Sequence, residues 1–218
     1  MISLGEARQR ISALTSLIDD GSQRLGHAES LIERAHCYEI INDDELALRD
    51  YFSALDVATE RRLIAHIRAM IALNLLKKGR KEEASWWAHS AVEVTPESAE
   101  AYHAVGLCFA FGELHYLAGE AFRKTLEFDP TYSGTKLELG KSLRESYRQD
   151  EAIVVLTEYV ADHPSDPKGW FELGWSIHVS LHVNDRRSRA LECYHKALSL
   201  NPHPSLRQRL DRKINDLT

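Results

Sequence analysis

Disulfides, paired metal ligands and membrane spans are what this sequence lacks material for. Its three cysteines, Cys37, Cys108 and Cys193, are odd in number, lie far apart and form no C-x-x-C pair. That argues against a disulfide framework and a structural zinc site, and it fits a reducing compartment. No apolar run approaches the ~18 residues that a membrane span needs. The opening MISLGEARQRISAL has no apolar stretch ahead of a small-residue cleavage site, so no secretory signal is expected and the expected location is the cytoplasm. Walker-type loops, dinucleotide fingerprints and Gly-x-Ser-x-Gly elbows are missing as well. An enzyme is therefore not expected, and no cofactor is implied. His178 and His182 stand four apart, as two ligands on one helical face do, but no third ligand accompanies them, so no metal is expected.

Net positive charge is also wanting overall: the chain carries −6. The deficit is uneven. From Arg186 to Thr218 there are eight Lys/Arg against three acids, a local +5, which leaves −11 for the rest. Such a split can steer an acidic partner to the C-terminal end, or it can be a solvated basic face on a terminal helix. The acidic body argues against nucleic acid, which needs an extended cationic track.

Proline is scarce, six in all, but its placement is regular. Pro96, Pro130 and Pro164 are 34 residues apart, as are Gly106, Gly140 and Gly174, and Ala84, Ala118 and Ala152. A strict period of that length is the signature of stacked helix pairs. Residues 99–132 form the cleanest copy: two short amphipathic stretches, a turn, and a proline stop. Mid-helix glycine costs roughly 1 kcal/mol relative to alanine, so its return at one register implies close approach of the paired helix. The alanines at 84, 118, 152 and 190 supply the matching small surface. Two departures interrupt the register. The first copy lies 37 residues before the second, and in the last copy Ala190, Tyr194, Ala197 and Pro202 arrive four residues late. Those four extra residues lie near His182–Arg189, as a longer loop or an extended first helix. Before the copies, apolar residues from Leu4 to Ile18 have helical spacing and stop at Asp19-Asp20-Gly21. After them, Leu206, Leu210, Ile214 and Leu217 do the same.

This pattern resembles the tetratricopeptide repeat (TPR). The matching residues are Tyr102, Gly106, Phe109, Ala118, Phe122 and Pro130 in the cleanest copy, and Trp170, Leu173, Gly174, Ala190, Tyr194, Ala197 and Pro202 in the last. The resemblance implies an all-α fold, a right-handed α-solenoid of stacked antiparallel helix pairs. The expected organisation is an N-terminal capping helix within 1–27, repeats at 28–61, 65–98, 99–132, 133–166 and 167–204, and a capping helix within 205–218. It also implies that the first helix of each pair lines a concave groove that binds a peptide or helical segment of another protein. The rows facing that groove would be Ile32, Ala69, His103, Leu137 and Phe171; then His36, Leu73, Leu107, Lys141 and Trp175; then Glu39, Leu76, Ala110, Arg144 and His178. A groove rich in Leu, Phe and Trp suits apolar side chains, and burying one Trp can contribute gross stabilisation on the order of 4–6 kcal/mol. Phe171 and Trp175 would then be hot spots; the alternative is that the C-terminal helix or the curvature of the solenoid buries them. Lys141 and Arg144 could receive one carboxylate or simply be solvated. The dispersed Lys and Asn of chaperone-tail clamps are missing from these rows.

The function expected is a non-enzymatic protein-interaction module, an adaptor or a chaperone-like holder of apolar segments. A self-assembling scaffold is the alternative, for which Trp86 and Trp87, on a second helix, are convex-side contact candidates. Groove histidines His36, His103 and His178 could make binding pH-sensitive.

Overall fold

The computed structural model describes residues 2–20 and 26–218. It holds twelve α-helices and no strand among the described residues, divided into two compact units with the chain boundary between Phe111 and Gly112. The first unit contains α1 (Leu4–Asp19), α2 (His27–Ile40), α3 (Asp44–Val57), α4 (Arg61–Lys77), α5 (Lys81–Val94) and α6 (Ala99–Phe111). The second contains α7 (His115–Phe128), α8 (Thr135–Glu145), α9 (Gln149–Asp162), α10 (Pro167–Val179), α11 (Arg186–Ser199) and α12 (Pro204–Asn215). Inside each unit, consecutive helices pack on one another as pairs: α2 with α3 and α4 with α5, then α8 with α9 and α10 with α11.

Local chemistry sets where the helices begin and end. Ser3 and Glu6 form a capping box at α1, each side chain bonding the other's backbone N–H and satisfying donors the first turn leaves free. The stop expected at Gly21 lies outside the described residues. The turns after α2, α4, α6 and α8 each hold a residue in the left-handed conformation, Asn42, Gly79, Glu113 and Tyr147, at φ 61°, 74°, 62° and 61°; Asp185, at φ 55°, instead caps the start of α11. Backbone bonds from Asp43 to Tyr38, Arg80 to Leu75 and Arg148 to Leu143 seal the turn at three of them, the six-to-one bond of a Schellman ending. Only one of the five is glycine. Between pairs, Thr95 and Asp129 are extended at φ −138° and −143°, because the proline that follows crowds the α region of the residue before it.

The four late residues of the last copy lie in a loop, not in a longer helix. α10 ends at Val179, and Ser180 fastens the loop: its Oγ donates to Asp150 Oδ1 at 3.0 Å, and its carbonyl accepts from Arg186 at 3.0 Å.

The cores are built as the period requires. In the first unit Ala35, Ala47, Tyr51, Ala54, Ile67, Ile71, Leu75 and Ala84 share one buried cluster. In the second, Phe122, Leu143, Leu156, Tyr194 and Leu210 are fully buried. The glycine register is a steric fact there. A Cβ on Gly140 would stand 2.4–2.9 Å from Leu156 side-chain carbons, and one on Gly174 would stand 2.8 Å from the Tyr194 ring. Each glycine is the floor of a slot that a large residue of the paired helix fills.

Candidate functional site

In the first unit, the face made by α2, α4 and α6 is half closed. Ile32 is buried in the core cluster, and Leu107 packs against it. His36, Leu73 and His103 are half-buried. His36 stands edge-on to Tyr51 at 5.9 Å and to His66 at 6.4 Å, and His66 Nδ1 lies 2.7 Å from Glu100 Oε2. Burial pushes the His36 pKa down, while the hydrogen bond with His66 holds Glu100 below the usual carboxylate range.

In the second unit, the expected residues converge, but not as open surface. Phe171 is 1% exposed, and Leu137 and Arg144 are buried too. The cause is α12. Its apolar residues Leu206 and Leu210 are buried, and the next turn brings Arg209 to 4.4 Å from the Phe171 ring and Lys213 to 4.4 Å from the Trp175 ring. On Trp175 the Arg144 guanidinium also sits, at 3.7 Å. Arg144 donates to Glu172 at 2.8 Å and to Glu145 at 2.7 Å. The expectation that Arg144 could take a partner's carboxylate is thus corrected: two carboxylates of its own chain hold it. Of the two alternatives for Phe171, burial holds and open groove exposure is corrected: it packs on Trp175 and Tyr194, and Arg209 of the C-terminal helix lies over its ring. Lys141 remains half-buried, tied to Glu138 at 2.7 Å. His178 is half-buried, and burial, then Lys213, lowers its pKa.

What stays open is a cavity of about 630 Å³ between α8, α10 and α12. Phe171 and Leu206 supply its apolar lining, and Lys141, Lys168, His203 and Arg209 its rim. Its acids are already engaged: Glu172 with Arg144, and Asp166 with the Tyr159 hydroxyl at 2.7 Å and the Lys168 N–H at 3.0 Å. The positive N-terminal ends of α10 and α12, at Asp166-Pro167 and at His203, line the same space. Lys168, His203, Leu206 and Arg209 were outside the sequence-expected set. The basic excess after Arg186 could have pointed to Arg209, and the apolar spacing of the last helix to Leu206; Lys168 and His203 carried no such signal.

Trp86 and Trp87 part company. Trp87 packs against the core cluster, whereas Trp86 is 61% exposed. Cys108 and Cys193 are pushed up to about 11 by burial, which leaves them protonated packing residues near neutral pH.

Paired helices with a small-residue register, proline-closed joints and a first-helix face are a TPR-type α-solenoid, and that is the fold of this chain. No protein-family model matches the chain. Over 133 residues it is 31% identical to the type IV pilus assembly protein PilF of Pseudomonas aeruginosa, covering 60% of this chain and 51% of that protein. The chain therefore spans about half the length of the curated relative it matches. Among solved structures, Cut9 with Hcn1 from the APC/C superimposes with a TM-score of 0.80 at 16% identity, over 97% of this chain and 39% of that one. YrrB, described as a TPR protein with an unusual peptide-binding site, gives 0.63 at 19% identity, over 92% and 98%. The thermophilic TPR protein TTC0263 of Thermus thermophilus gives 0.65 at 17%, over 87% and 98%. At these identities the structural likeness concerns the fold.

Proposed function

We propose that this chain is a non-enzymatic protein-interaction module, acting as an adaptor or a chaperone-like holder, that grips a segment of another protein on its first-helix face. The observation that carries this reading is the cavity between α8, α10 and α12, with a Phe171–Leu206 lining and a cationic rim. Its volume admits a large apolar side chain, and of its rim lysines and arginine Lys168 forms no ion pair with any described residue, which favours a neighbouring carboxylate. The similarity to a pilus assembly protein and to a TPR protein with a peptide-binding site supports a role in holding or assembling other proteins.

The test is affinity capture from the native cell, read by mass spectrometry, with wild type against Lys141→Glu/Lys168→Glu. Both side chains reach solvent, so the variant should keep its helical circular dichroism and its urea midpoint. Loss of the captured proteins is the expected result. An unchanged set of captured proteins, with the variant folded, rejects the cavity as the binding site.

A further inference from the structure

The face of the first unit made by second helices carries a different chemistry. α3 and α5 bring three aromatic rings together there. Phe52 meets Trp87 edge-to-face at 5.5 Å, and Trp87 meets Trp86 edge-to-face at 4.8 Å. Trp87 is anchored in the core, which fixes the other two rings at the surface, Phe52 at 37% and Trp86 at 61% exposure. A fixed, solvent-facing indole is unusual for a surface with no partner, and it orders little further on contact.

Helix spacing then sets the charge around it. Glu82 and Glu93 lie four residues before and seven after Trp86, on its own stripe of α5, and Asp56 lies four after Phe52 on α3. All three are exposed, and none forms an ion pair with any described residue. Glu83 is already taken by Arg80 at 2.6 Å, and Glu45 by Lys78. Of the two cations on these helices, Lys81 is engaged with Phe111, 4.9 Å from its ring, which leaves Arg49; from α4, Arg61 and Arg68 reach α5 but donate to the Val94 and Ser90 carbonyls at 2.8 and 3.0 Å. An indole face edged by uncompensated carboxylates attracts cations twice over, through the ring quadrupole and through Coulomb attraction.

We infer that this α3–α5 face is a second docking surface, and that it takes a cationic amphipathic segment of another protein, with Lys or Arg beside an apolar side chain. Its chemistry is opposite to that of the α8–α10–α12 cavity, so one chain can hold two unlike partners at once.

Two synthetic helical peptides test it. They share one apolar stripe, and one carries lysine, the other glutamate, at the polar positions; each is titrated into the full chain at low salt and followed by fluorescence anisotropy of a dye on the peptide. The lysine peptide should bind at least about ten-fold tighter. Trp86→Ser should weaken it by about ten-fold or more with the urea midpoint unchanged. Glu82→Lys/Glu93→Lys should reverse the preference, while Glu113→Lys/Glu192→Lys, which changes net charge equally in the other unit, should not. Equal binding of the two peptides, or equal effects of the two charge reversals, overturns the inference. So does concentration-dependent self-association in sedimentation that Trp86→Ser abolishes, since the face would then belong to a second copy of this chain.

Discussion

Gly140, Gly174 and Gly119 all sit inside helices, yet substitution should separate them by sign. Alanine gains about 0.5–1 kcal/mol of helix propensity over glycine. At Gly119 the nearest neighbour of an added Cβ is 3.9 Å away, so Gly119→Ala should stabilise by that amount. At Gly140 the added carbon meets Leu156 at the branch of its side chain, where it cannot swing aside, and Gly140→Ala should cost about 1–3 kcal/mol from overpacking. Urea denaturation of the two variants measures both. The Gly140 register was readable from the sequence because the 34-residue period repeats it. The left-handed turns were not: Asn42, Glu113, Tyr147 and Asp185 adopt positive φ without glycine, and at Asn42 and Tyr147 the six-to-one turn bond, not the residue type, accompanies it. His36 supplies a pH test. Its native pKa is lowered from 6.5 by burial, so the unfolded chain binds the proton more readily. Its share of stability is complete above pH 6.5 and is lost as pH falls through the lowered native value. The urea midpoint of wild type should therefore drop between pH 7 and pH 5.5 more steeply than that of His36→Gln.

Among the elements, α12 and the helix pair beneath it decide what the second unit exposes. Arg144 and Glu172 are both buried and joined at 2.8 Å. Removing the cation strands a buried carboxylate, so Arg144→Leu should cost about 3–5 kcal/mol. Arg144→Leu/Glu172→Leu should recover most of that loss, because replacing a buried pair by apolar groups is close to neutral. A double-mutant cycle by chemical denaturation reads the coupling, and a double variant as unstable as the single one would show that the pair matters through shape instead. The first unit has a counterpart in Arg34, which donates to Asp50 at 2.6 and 2.9 Å and to Thr15 of α1 at 3.1 Å. Helix identity and order were legible from apolar spacing. Which surface α12 covers was legible only as one of two alternatives, because its contacts with Phe171 and Trp175 come from Arg209 and Lys213, cations that a sequence pattern assigns to solvent.

At the scale of the whole molecule, a stack of repeats is held by neighbours alone, and its ends have one neighbour where inner helices have two. Amide exchange should accordingly run more than about ten-fold faster in α1 and α12 than in α4 and α10; uniform protection along the chain would contradict a solenoid-like distribution of stability. The class was legible because the period is long-range information that survives local degeneracy. The division at Phe111 and Gly112 was not, since it falls within the best-formed repeat and nothing in that stretch breaks the pattern. Charge asymmetry was visible as a number, but its use needed the fold: of the basic excess Arg209 joins Lys141 and Lys168 at the rim of a cavity in one unit, and acids without ion pairs edge an aromatic face in the other.

The paired slots of Gly140 with Leu156 and Gly174 with Tyr194 bear on how such a chain can be rearranged during descent. Each slot and its plug lie within one repeat, and the plugs differ in size. Duplicating or exchanging a segment between proline joints carries both halves together. A crossover in the turn inside a repeat would set a tyrosine against a leucine-sized recess, or leave a ring-sized recess underfilled. The inheritable unit of this fold is the stretch from proline to proline.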